Sequence, residues 1–310
     1  MRQVADGITH VRITGNAEML DRVGMGPVDT THGPKHVEYL RLDGQRYGGH
    51  VMGGGRMFAD FDMGAGLRAN AALVEQKLGA AGGPVAYING GYYNALRGAD
   101  RTVPNHVPIG PVTTSDGASP RSIAVPAGYR DMYQSVSFGD GSRYTAGPVV
   151  AENGKAIFPE EALRQKRFQF PSAAIKPGEL SHAEHPNARA GAVIPDVPGR
   201  GRDYRLAVAL SSNESRGPKD TGMTMPEWSR TLARLASLDR DDKGRLPPGG
   251  PTPGLGLNHD GGPSAQLGLV TRDRSMLVDA RQVGEPRTST LVAFSPRSEP
   301  DQPTWMDPED

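Results

Sequence analysis

The stretch GLNHDGGPSAQLGLV, residues 256–270, places an aspartate, two glycines and a serine a few residues before an apolar run. The run at 266–270 predicts a buried strand, because it is short, apolar and preceded by turn residues. Asp260 would then lie at the mouth of that strand, where Gly261 and Gly262 keep side-chain bulk away from its carboxylate. A turn in which Asp260 caps its own backbone explains the same residues without a ligand, and the stretch alone favours that turn.

Similar short runs recur along the chain, and most are bounded by glycine, proline, asparagine or aspartate. Such runs are typical of strands. The predicted strands cover residues 8–13, 85–88, 121–125, 135–138, 190–194, 205–210, 266–270, 276–278 and 290–294. The Asp-Gly pair in FGDGSRY (138–144) and the Asn-Gly pair in AENGKAIF (151–158) tolerate positive φ, so they predict two antiparallel hairpins.

Three stretches are typical of helices, at 67–79, 159–167 and 224–238. The third is the best defined, because Thr224 and Glu227 have the spacing of a capping box and the apolar residues that follow recur at helical intervals. Few helices beside many strands predict an α+β domain: a strand-rich domain with a mixed or antiparallel sheet and a few packed helices.

The charge balance and the cysteine count limit the classes of partner and chemistry. The chain has 310 residues with 35 basic and 35 acidic side chains, so no net field attracts nucleic acid or an anionic membrane surface. It has no cysteine, which excludes disulfides, thiolate metal ligands and a cysteine nucleophile. With 41 glycines and 27 prolines, much of the chain is expected in turns and ordered loops.

The first residues, MRQVADGITHVRITG, lack the apolar core of a secretory signal, and no segment approaches the ~20 apolar residues of a membrane span. We expect a soluble protein that is cytoplasmic where it is made, with signal-independent export left open. Residues 1–81 are interpreted as an N-terminal segment of the same domain, with the first strand and a glycine-rich stretch that could serve as a lid. Residues 82–296 are the expected core, and 297–310 are expected to be a disordered tail.

The motif INGGYYN, residues 88–94, follows the predicted strand at 85–88. Asn89 offers a donor and an acceptor, while Gly90 and Gly91 let a ligand approach main-chain N–H groups. Tyr92 adds a flat, half-polar surface that suits a sugar ring. A hairpin turn followed by core aromatics accounts for the motif without a ligand, and local sequence favours that interpretation.

Arg189 directly precedes the predicted strand at 190–194. The planar fork of an arginine can bind a phosphate through two parallel hydrogen bonds. Arg121 and Arg287 also stand at the threshold of a predicted strand. Most arginines are surface residues without a ligand, so none of the three indicates a site by itself.

Eight motifs, each weak alone, occur in an order that resembles the phosphodiester glycosidase family, which includes enzymes that remove N-acetylglucosamine from a phosphodiester. They are INGGYYN, VPIGPVTTSDG, SVSFGDGSRY, AGPVVAENGK, NARAGAVI, GMTMPEWSRTL, NHDGGPSAQL and GEPRTSTLVAF, and the resemblance runs from about residue 85 to residue 294. The chain departs from the family pattern at Pro263, Ala265 and Thr288, where the family has glycine, serine and proline. These departures leave the identity of the substrate open.

The resemblance implies hydrolysis of the bond between a sugar anomeric carbon and a phosphate. It implies Asp260 as the group that stabilises the oxocarbenium-like centre or orients water, Arg189 as a phosphate ligand and Glu227 as a further acid. For Glu227 the capping box is a structural alternative. The other implied substrate contacts are Asn89, Gly90, Gly91, Tyr92, Asn213, Asn258, Gly261, Gly262, Ser264 and Arg287.

The implied substrate is a small-molecule or glycan phosphodiester, and the implied reaction requires no cofactor. A divalent cation is compatible with the site, because Asp260 is a suitable oxygen ligand. Two alternatives stay open. One is a non-catalytic module that binds a sugar phosphate or a nucleotide, and the other is a phosphodiesterase that cuts the P–O bond on the other side of the linkage.

Overall fold

The structure is a computed structural model. It describes residues 1–31, 33–53, 83–94, 107–164, 183–195, 203–210, 222–237, 254–271, 273, 275–282 and 288–297. The strands in these ranges are β1 (Arg2–Ala5), β2 (Ile8–Gly15), β3 (Lys35–Leu42), β4 (Tyr47–Gly53), β5 (Val85–Asn89), β6 (Tyr133–Ser137), β7 (Arg143–Glu152), β8 (Lys155–Ala156), β9 (Arg189–Pro195), β10 (Tyr204–Leu210), β11 (Gly254–Asn258), β12 (Gln266–Val270), β13 (Met276–Arg281) and β14 (Thr290–Pro296). The α-helices in these ranges are α1 (Ala17–Arg22) and α2 (Met225–Ala236).

The strands form two sheets. Sheet A has the order β1-β2-β3-β10-β9-β11-β7-β6, with β8 attached to β7, and sheet B has the order β13-β12-β5-β14-β4. The paired strands run antiparallel in both sheets. This strand-rich arrangement with few helices confirms the predicted α+β class.

Alternate residues of a strand enter different cores, because successive side chains point to opposite faces of a sheet. In β10, Leu206 and Val208 belong to the core between the two sheets. Ala207 and Ala209 belong to a second core that lies between sheet A and helix α2. Tyr87 of β5 lies in a third, smaller core on the outer face of sheet B. The layers are therefore helix, sheet A and sheet B.

The chain crosses from sheet A to sheet B at residues 259–265. On one side Asn258 ends β11 and pairs with Gly191 in sheet A. On the other side Gln266 begins β12 and pairs with Arg281 in sheet B. The strand predicted at 266–270 is thus confirmed, and Asp260 lies in the connection between the sheets.

Both predicted hairpins are confirmed. Strands β6 and β7 pair antiparallel around the turn at 138–142, where Gly141 has a φ of 84°. Strands β7 and β8 pair across Asn153 and Gly154, whose φ angles are 52° and 75°. Positive φ at both central residues matches the twist of a two-stranded ribbon, which is why Asn-Gly favours this turn.

The segment 121–125, predicted as a strand, is not a strand. Within it Ile123 forms a single bridge with Ile109. Pro120 and Pro126 flank the segment, and proline cannot donate to a ladder of hydrogen bonds. The other predicted strands are confirmed with their ends moved by a few residues. Strands β1, β3, β4 and β11 are not predicted from sequence, because charges or glycines interrupt their apolar patterns. Strands β7 and β8 are predicted only as arms of the two hairpins.

Helix α2 confirms the third helix prediction, including its capping box. The Thr224 side chain accepts from the Glu227 N–H, and the Glu227 carboxylate accepts from the Thr224 N–H. At 159–167 the described part is a 3-10 helix, Glu160–Arg164, and not an α-helix. None of its residues is fully buried, and Ala162 and Leu163 are only partly buried against the core beside α2. A short turn with so little buried surface has little tertiary packing to favour an α-helix. The predicted helix at 67–79 lies outside the described residues.

The N-terminal segment contributes strands to both sheets. Strands β2 and β3 extend sheet A beside β10, and β4 forms an edge of sheet B beside β14. The stretches 54–82 and 298–310, which include most of the glycine-rich region and the C-terminal tail, lie outside the described residues. Among the described residues, no helix is long and apolar enough to cross a membrane.

Trp228 is the fully buried side chain of largest volume, and it fixes α2 against sheet A. A Cβ on Gly191 of β9 would lie 3.2 Å from its ring, which shows how closely the helix approaches the strand. We expect Trp228→Ala to lower the free energy of unfolding by about 3–5 kcal/mol, because it leaves a cavity under the helix. Urea unfolding followed by far-ultraviolet circular dichroism measures this change.

The control for that experiment is Lys155→Ala, at an exposed position of β8. We expect it to change the free energy of unfolding by less than about 0.5 kcal/mol. Equal, small effects of the two substitutions would contradict the packing of α2 on sheet A.

Candidate active site

The crossing at 259–265 is held to both sheets by main-chain hydrogen bonds. The Asp260 N–H donates to the Gly90 carbonyl after β5 at 3.2 Å. The His259 N–H donates to the Ala190 carbonyl of β9 at 2.8 Å. These bonds determine where the Asp260 carboxyl lies, between the end of β5 and the start of β9.

Asn89, the last residue of β5, binds the same crossing through three of its atoms and is fully buried. Its Nδ2 donates to the Asp260 carbonyl at 2.7 Å, and its Oδ1 accepts from the Gln266 N–H at 3.1 Å. Its main-chain carbonyl accepts from His259 Nδ1 at 2.7 Å. Asn89 was predicted as a substrate contact, but in the structure its amide connects β5 to the crossing.

His259 is buried, and its neighbours determine its tautomer. Nδ1 carries the proton, because the Asn89 carbonyl beside it can only accept. Nε2 therefore accepts from the Tyr144 hydroxyl at 2.8 Å. Burial lowers the pKa of His259 to about 4, and the hydrogen bond to Asn89 opposes this shift. At neutral pH, His259 is a neutral support for the crossing.

The Asp260 carboxyl lies half-buried at the edge of this cluster. Its Oδ1 accepts from the Gly261 N–H at 3.1 Å, and the Ser264 side chain forms a hydrogen bond with the carboxyl. Burial raises the pKa of Asp260 to about 7, and the bonds from Ser264 and Gly261 oppose this rise without cancelling it. A carboxyl with this pKa can exist in both protonation states near neutral pH, which is a property of many catalytic groups.

Two tyrosines lie close enough to Asp260 to respond to its charge. The Tyr92 and Tyr133 rings have centroids 6.1 Å apart and planes inclined by 49°. Burial raises the pKa of both hydroxyls, and the Asp260 charge adds to the rise. Asn258 Nδ2 donates to the Tyr92 hydroxyl oxygen at 2.7 Å. Because that oxygen accepts from Asn258, the Tyr92 hydroxyl proton can be donated to another group.

Arg189 begins β9 and is buried. Its Nε donates to the Met223 carbonyl at 2.8 Å, and its Nη2 donates to the His185 carbonyl at 3.0 Å. Burial lowers the pKa of Arg189 to about 10, while Tyr92 and Glu227 oppose the shift. Two of its nitrogens thus bind main-chain carbonyls, so the fork that was predicted to bind a phosphate is partly occupied by the protein itself.

Glu227 is buried at the start of α2. Its Oε2 accepts from the Thr224 N–H at 2.7 Å and from the Thr224 hydroxyl at 3.0 Å. Its Oε1 accepts from the Asp29 N–H at 2.6 Å, which connects the helix to the N-terminal segment. Both oxygens therefore have structural partners, and the capping alternative accounts for Glu227.

Three glycines beside Asp260, namely Gly90, Gly261 and Gly262, were expected to offer their main-chain N–H groups to a ligand. In the structure these N–H groups have partners within the protein. The N–H of Gly90 donates to the Thr290 carbonyl, and that of Gly262 to the Ala188 carbonyl, both at 2.8 Å. The Gly261 N–H donates to Asp260 itself. The glycines are required for close packing instead, since a Cβ on Gly91 would lie 2.0 Å from the Thr145 carbonyl oxygen.

The structure thus brings most of the predicted site residues together around the crossing: Asn89, Gly90, Gly91, Tyr92, Arg189, Asn258, Asp260, Gly261, Gly262 and Ser264. Asn213 and Arg287 lie outside the described residues. Among the described residues, no group of three or more histidine, aspartate or glutamate side chains could hold a metal ion.

Tyr133 and Tyr144 belong to the site, although sequence reasoning does not select them. Tyr133 begins β6, and its ring contacts that of Tyr92. Tyr144 lies in β7 and binds His259. β7 is buried along most of its length, so its sequence does not single out Tyr144, and no local signal indicates which buried histidine it meets.

Comparisons with known proteins assign no activity to this fold. No family model matches the chain, and no curated protein matches it. Eight chains of solved structures match. One is a hypothetical protein from Synechocystis, with a TM-score of 0.45 and 14% sequence identity, and the match covers 94% of this chain and 62% of that protein. The chain therefore spans less than two thirds of that protein's length.

The raised pKa of Asp260 makes the stability of the fold depend on pH. The carboxyl titrates at an ordinary value of 3.8 in the unfolded chain and at about 7 in the folded chain. Its contribution to stability is therefore fully present below the lower value and is lost as the pH rises through about 7. We expect Asp260→Asn to raise the midpoint of thermal unfolding, relative to the wild type, more at high pH than at low pH. Differential scanning fluorimetry across that window measures this difference.

Asp273→Asn is the matched control, because Asp273 is exposed and hydrogen bonds from Thr271 and Ser275 lower its pKa. In the part of this window that lies well above 3.8, Asp273 is ionised in both the folded and the unfolded chain. The difference in unfolding midpoint between Asp273→Asn and the wild type should therefore stay constant in that range of pH. A midpoint difference between Asp260→Asn and the wild type that is equally independent of pH would contradict the raised pKa of Asp260.

Proposed function

We propose that this protein hydrolyses the bond between a sugar anomeric carbon and a phosphate, with Asp260 as the reacting carboxyl. The observation that carries the proposal is the half-buried Asp260 carboxyl, with a pKa raised to about 7, beside Tyr92 and Tyr133. In its ionised form the carboxyl stabilises the cationic, oxocarbenium-like centre or orients the attacking water. The bond from the anomeric carbon to the phosphate oxygen breaks, and its electron pair leaves with the phosphate. The water oxygen bonds to that carbon, and the proton that the water loses passes to the Asp260 carboxylate or to solvent.

One reacting carboxyl is sufficient for this reaction because of its leaving group. Ordinary glycosidases use a second carboxyl to protonate a departing alcohol. A phosphate departs as a stable anion, so the general acid can be weak or absent. This fits the position of Glu227, the other acid that the family resemblance implies, whose two oxygens are occupied at the start of α2.

The groups near Asp260 suit a sugar ring and a phosphate. The rings of Tyr92 and Tyr133 provide flat apolar surface with polar edges, on which a sugar can lie. The Tyr92 hydroxyl accepts from Asn258 and can donate its own proton to a ligand oxygen. Arg189 provides a positive charge that acts on Tyr92. We propose that these two groups hold the phosphate in place of a cradle of main-chain amides.

A binding module without turnover is the second candidate. It is favoured by one observation: the main-chain N–H groups of Gly90, Gly261 and Gly262 all have partners within the protein. A site with fewer donors for developing charge would stabilise a transition state less well while it still recognises a sugar phosphate.

Turnover is tested with a panel of glycosyl phosphodiesters that includes UDP-N-acetylglucosamine, and free sugar is measured by mass spectrometry. We expect the rate of release to rise with pH through about 7, because the ionised form of Asp260 is the reacting form. We expect Asp260→Asn to lower the rate by a factor of about 100 or more and to remove this pH dependence. Tyr133→Ala should raise KM, because it removes one aromatic face.

The control variant Asp273→Asn should keep the full rate of release. Hydrolysis in water labelled with oxygen-18 places the label in the sugar if the glycosidic bond breaks, and in the phosphate if the phosphodiester bond breaks. If no member of the panel releases sugar but one of them raises the midpoint of thermal unfolding, the protein binds the ligand without turnover. That result would contradict the hydrolase and support the binding module.

A further inference from the structure

A second group of polar side chains lies at the other end of strand β14. His50 of β4 has its Nδ1 2.8 Å from Asp140 Oδ2 and its Nε2 2.8 Å from Ser295 Oγ. Asp140 lies in the turn between β6 and β7, so the group also connects sheet A to sheet B. Thr290, which binds Gly90 beside Asp260, is five residues from Ser295 along the same strand. The two sites are therefore separated by about 16 Å along the strand.

The direction of the hydrogen bonds follows from the charge of Asp140. Burial alone would raise the pKa of Asp140, but hydrogen bonds from Ser142, Ser115 and His50 hold it below its ordinary value. An ionised carboxylate only accepts, so His50 Nδ1 carries the proton that faces Asp140. His50 Nε2 is then the acceptor for the Ser295 hydroxyl. The next acceptor for that hydroxyl is the Pro296 carbonyl, at 3.5 Å, which is a much weaker contact.

Asp140 is itself held in place. Its Oδ1 accepts from the Ser142 N–H at 2.9 Å and from the Ser142 hydroxyl at 2.6 Å. Ser142 is fully buried, and its hydroxyl oxygen also accepts from the Val51 N–H of β4 at 3.1 Å. One carboxylate oxygen is thus fixed by the protein while the other orients the imidazole, which is the division of roles in a Ser-His-Asp triad.

A positive charge lies next to the serine. Ser295 pairs with Gly48 across the sheet, so positions 48 and 295 direct their Cβ atoms to the same face. A Cβ on Gly48 would lie 3.9 Å from Arg297 Nη1 and 3.9 Å from Arg297 Cζ. The Arg297 guanidinium therefore lies within contact distance of the space above Gly48, the cross-strand partner of Ser295, on the face that carries Ser295. Arg297 is exposed, and within the described part of the chain no carboxylate forms an ion pair with it.

We propose that Ser295, His50 and Asp140 form a second catalytic site, an esterase-type site for small acyl esters, with Arg297 as the group that stabilises negative charge on the acyl oxygen. An oxyanion site requires a positive charge or hydrogen-bond donors beside the oxygen of the tetrahedral intermediate, and the guanidinium of Arg297 would provide that charge. The site is independent of Asp260. Its chemistry needs water and an ester and no other reactant.

The reaction follows from the hydrogen bonds. Ser295 Oγ attacks the carbonyl carbon of the ester while its proton moves to His50 Nε2. The bond from that carbon to the alcohol oxygen then breaks, and His50 returns the proton to the departing alcohol. Water repeats the sequence on the acyl-serine, so the products are a carboxylic acid and the free serine. Asp140 acts through His50 as a positioning residue.

The exposure of the group limits the size of the acyl chain. The His50 side chain is 20% exposed and the Asp140 side chain 23% exposed, while Ser295 is 5% exposed. The imidazole is therefore reachable from solvent, whereas little of the serine is exposed. We expect an acetyl ester to react and a long-chain ester to fail.

The test uses the full chain, a fluorophosphonate probe and p-nitrophenyl acetate. Intact-mass and peptide mass spectrometry should locate one phosphonyl group on Ser295. Ser295→Ala should abolish the label, and His50→Gln should slow both labelling and acetate release by a factor of about 100 or more. Asp140→Asn should lower kcat and leave KM unchanged, because a positioning residue does not touch the ester.

One control variant shows whether labelling requires the imidazole beside Ser295. Ser275 is an exposed serine held by a carboxylate, Asp273, and no imidazole bonds to it within the described part of the chain, so Ser275→Ala should keep the label and the rate. Labelling and acetate release are measured without any glycosyl phosphodiester, so their failure is distinguishable from a failure of the proposed function. Absence of label on Ser295 in the folded wild type would overturn the proposal, as would equal labelling of the wild type and a folded His50→Gln. Circular dichroism confirms that each variant is folded.

Discussion

The contact of Asn89 with the chain crossing is the constraint on which the rest of the candidate site depends. Three atoms of one buried residue bind the Asp260 carbonyl, the Gln266 N–H and the His259 ring. The crossing joins the two sheets, and a displacement there would move β11 and β12 together. Both the nitrogen and the oxygen of the Asn89 amide have hydrogen-bond partners in the connection between the sheets. The position of Asp260 is therefore determined by buried hydrogen bonds and not by a surface loop.

This arrangement separates the rigid support from the half-buried Asp260 carboxyl. His259 and Tyr144 lie fully buried behind the crossing and hold one tautomer. Asp260 lies at the edge, where burial is sufficient to raise its pKa but solvent still reaches it. The glycines of the site allow its side chains to pack closely against the strands. A Cβ on Gly147 would lie 2.4 Å from the Tyr92 ring, so the glycine lets that ring approach the strand.

Some of the site follows from local sequence. Asp260 at the mouth of β12, Tyr92 after β5 and the capping box of Thr224 and Glu227 are all predicted from a few neighbouring residues, and the structure places them as local rules require. The roles of Arg189 and of the glycines do not follow from local sequence. Arginine can bind a phosphate or a carbonyl with the same nitrogens, and a glycine can admit a ligand or a neighbouring strand. Only the partner that lies within reach decides between these uses.

The sequence by itself determined the alternation of the strands, both hairpins, the start of α2 and the candidate carboxyl, because each depends on residues a few positions apart. The tertiary structure decided the order of the strands in the two sheets, the presence of Tyr133 beside Asp260 and the meeting of His50 with Asp140 and Ser295. His50 and Ser295 are 245 positions apart in the chain. Such contacts arise from the pairing of distant strands, and no local periodicity encodes which strands become neighbours.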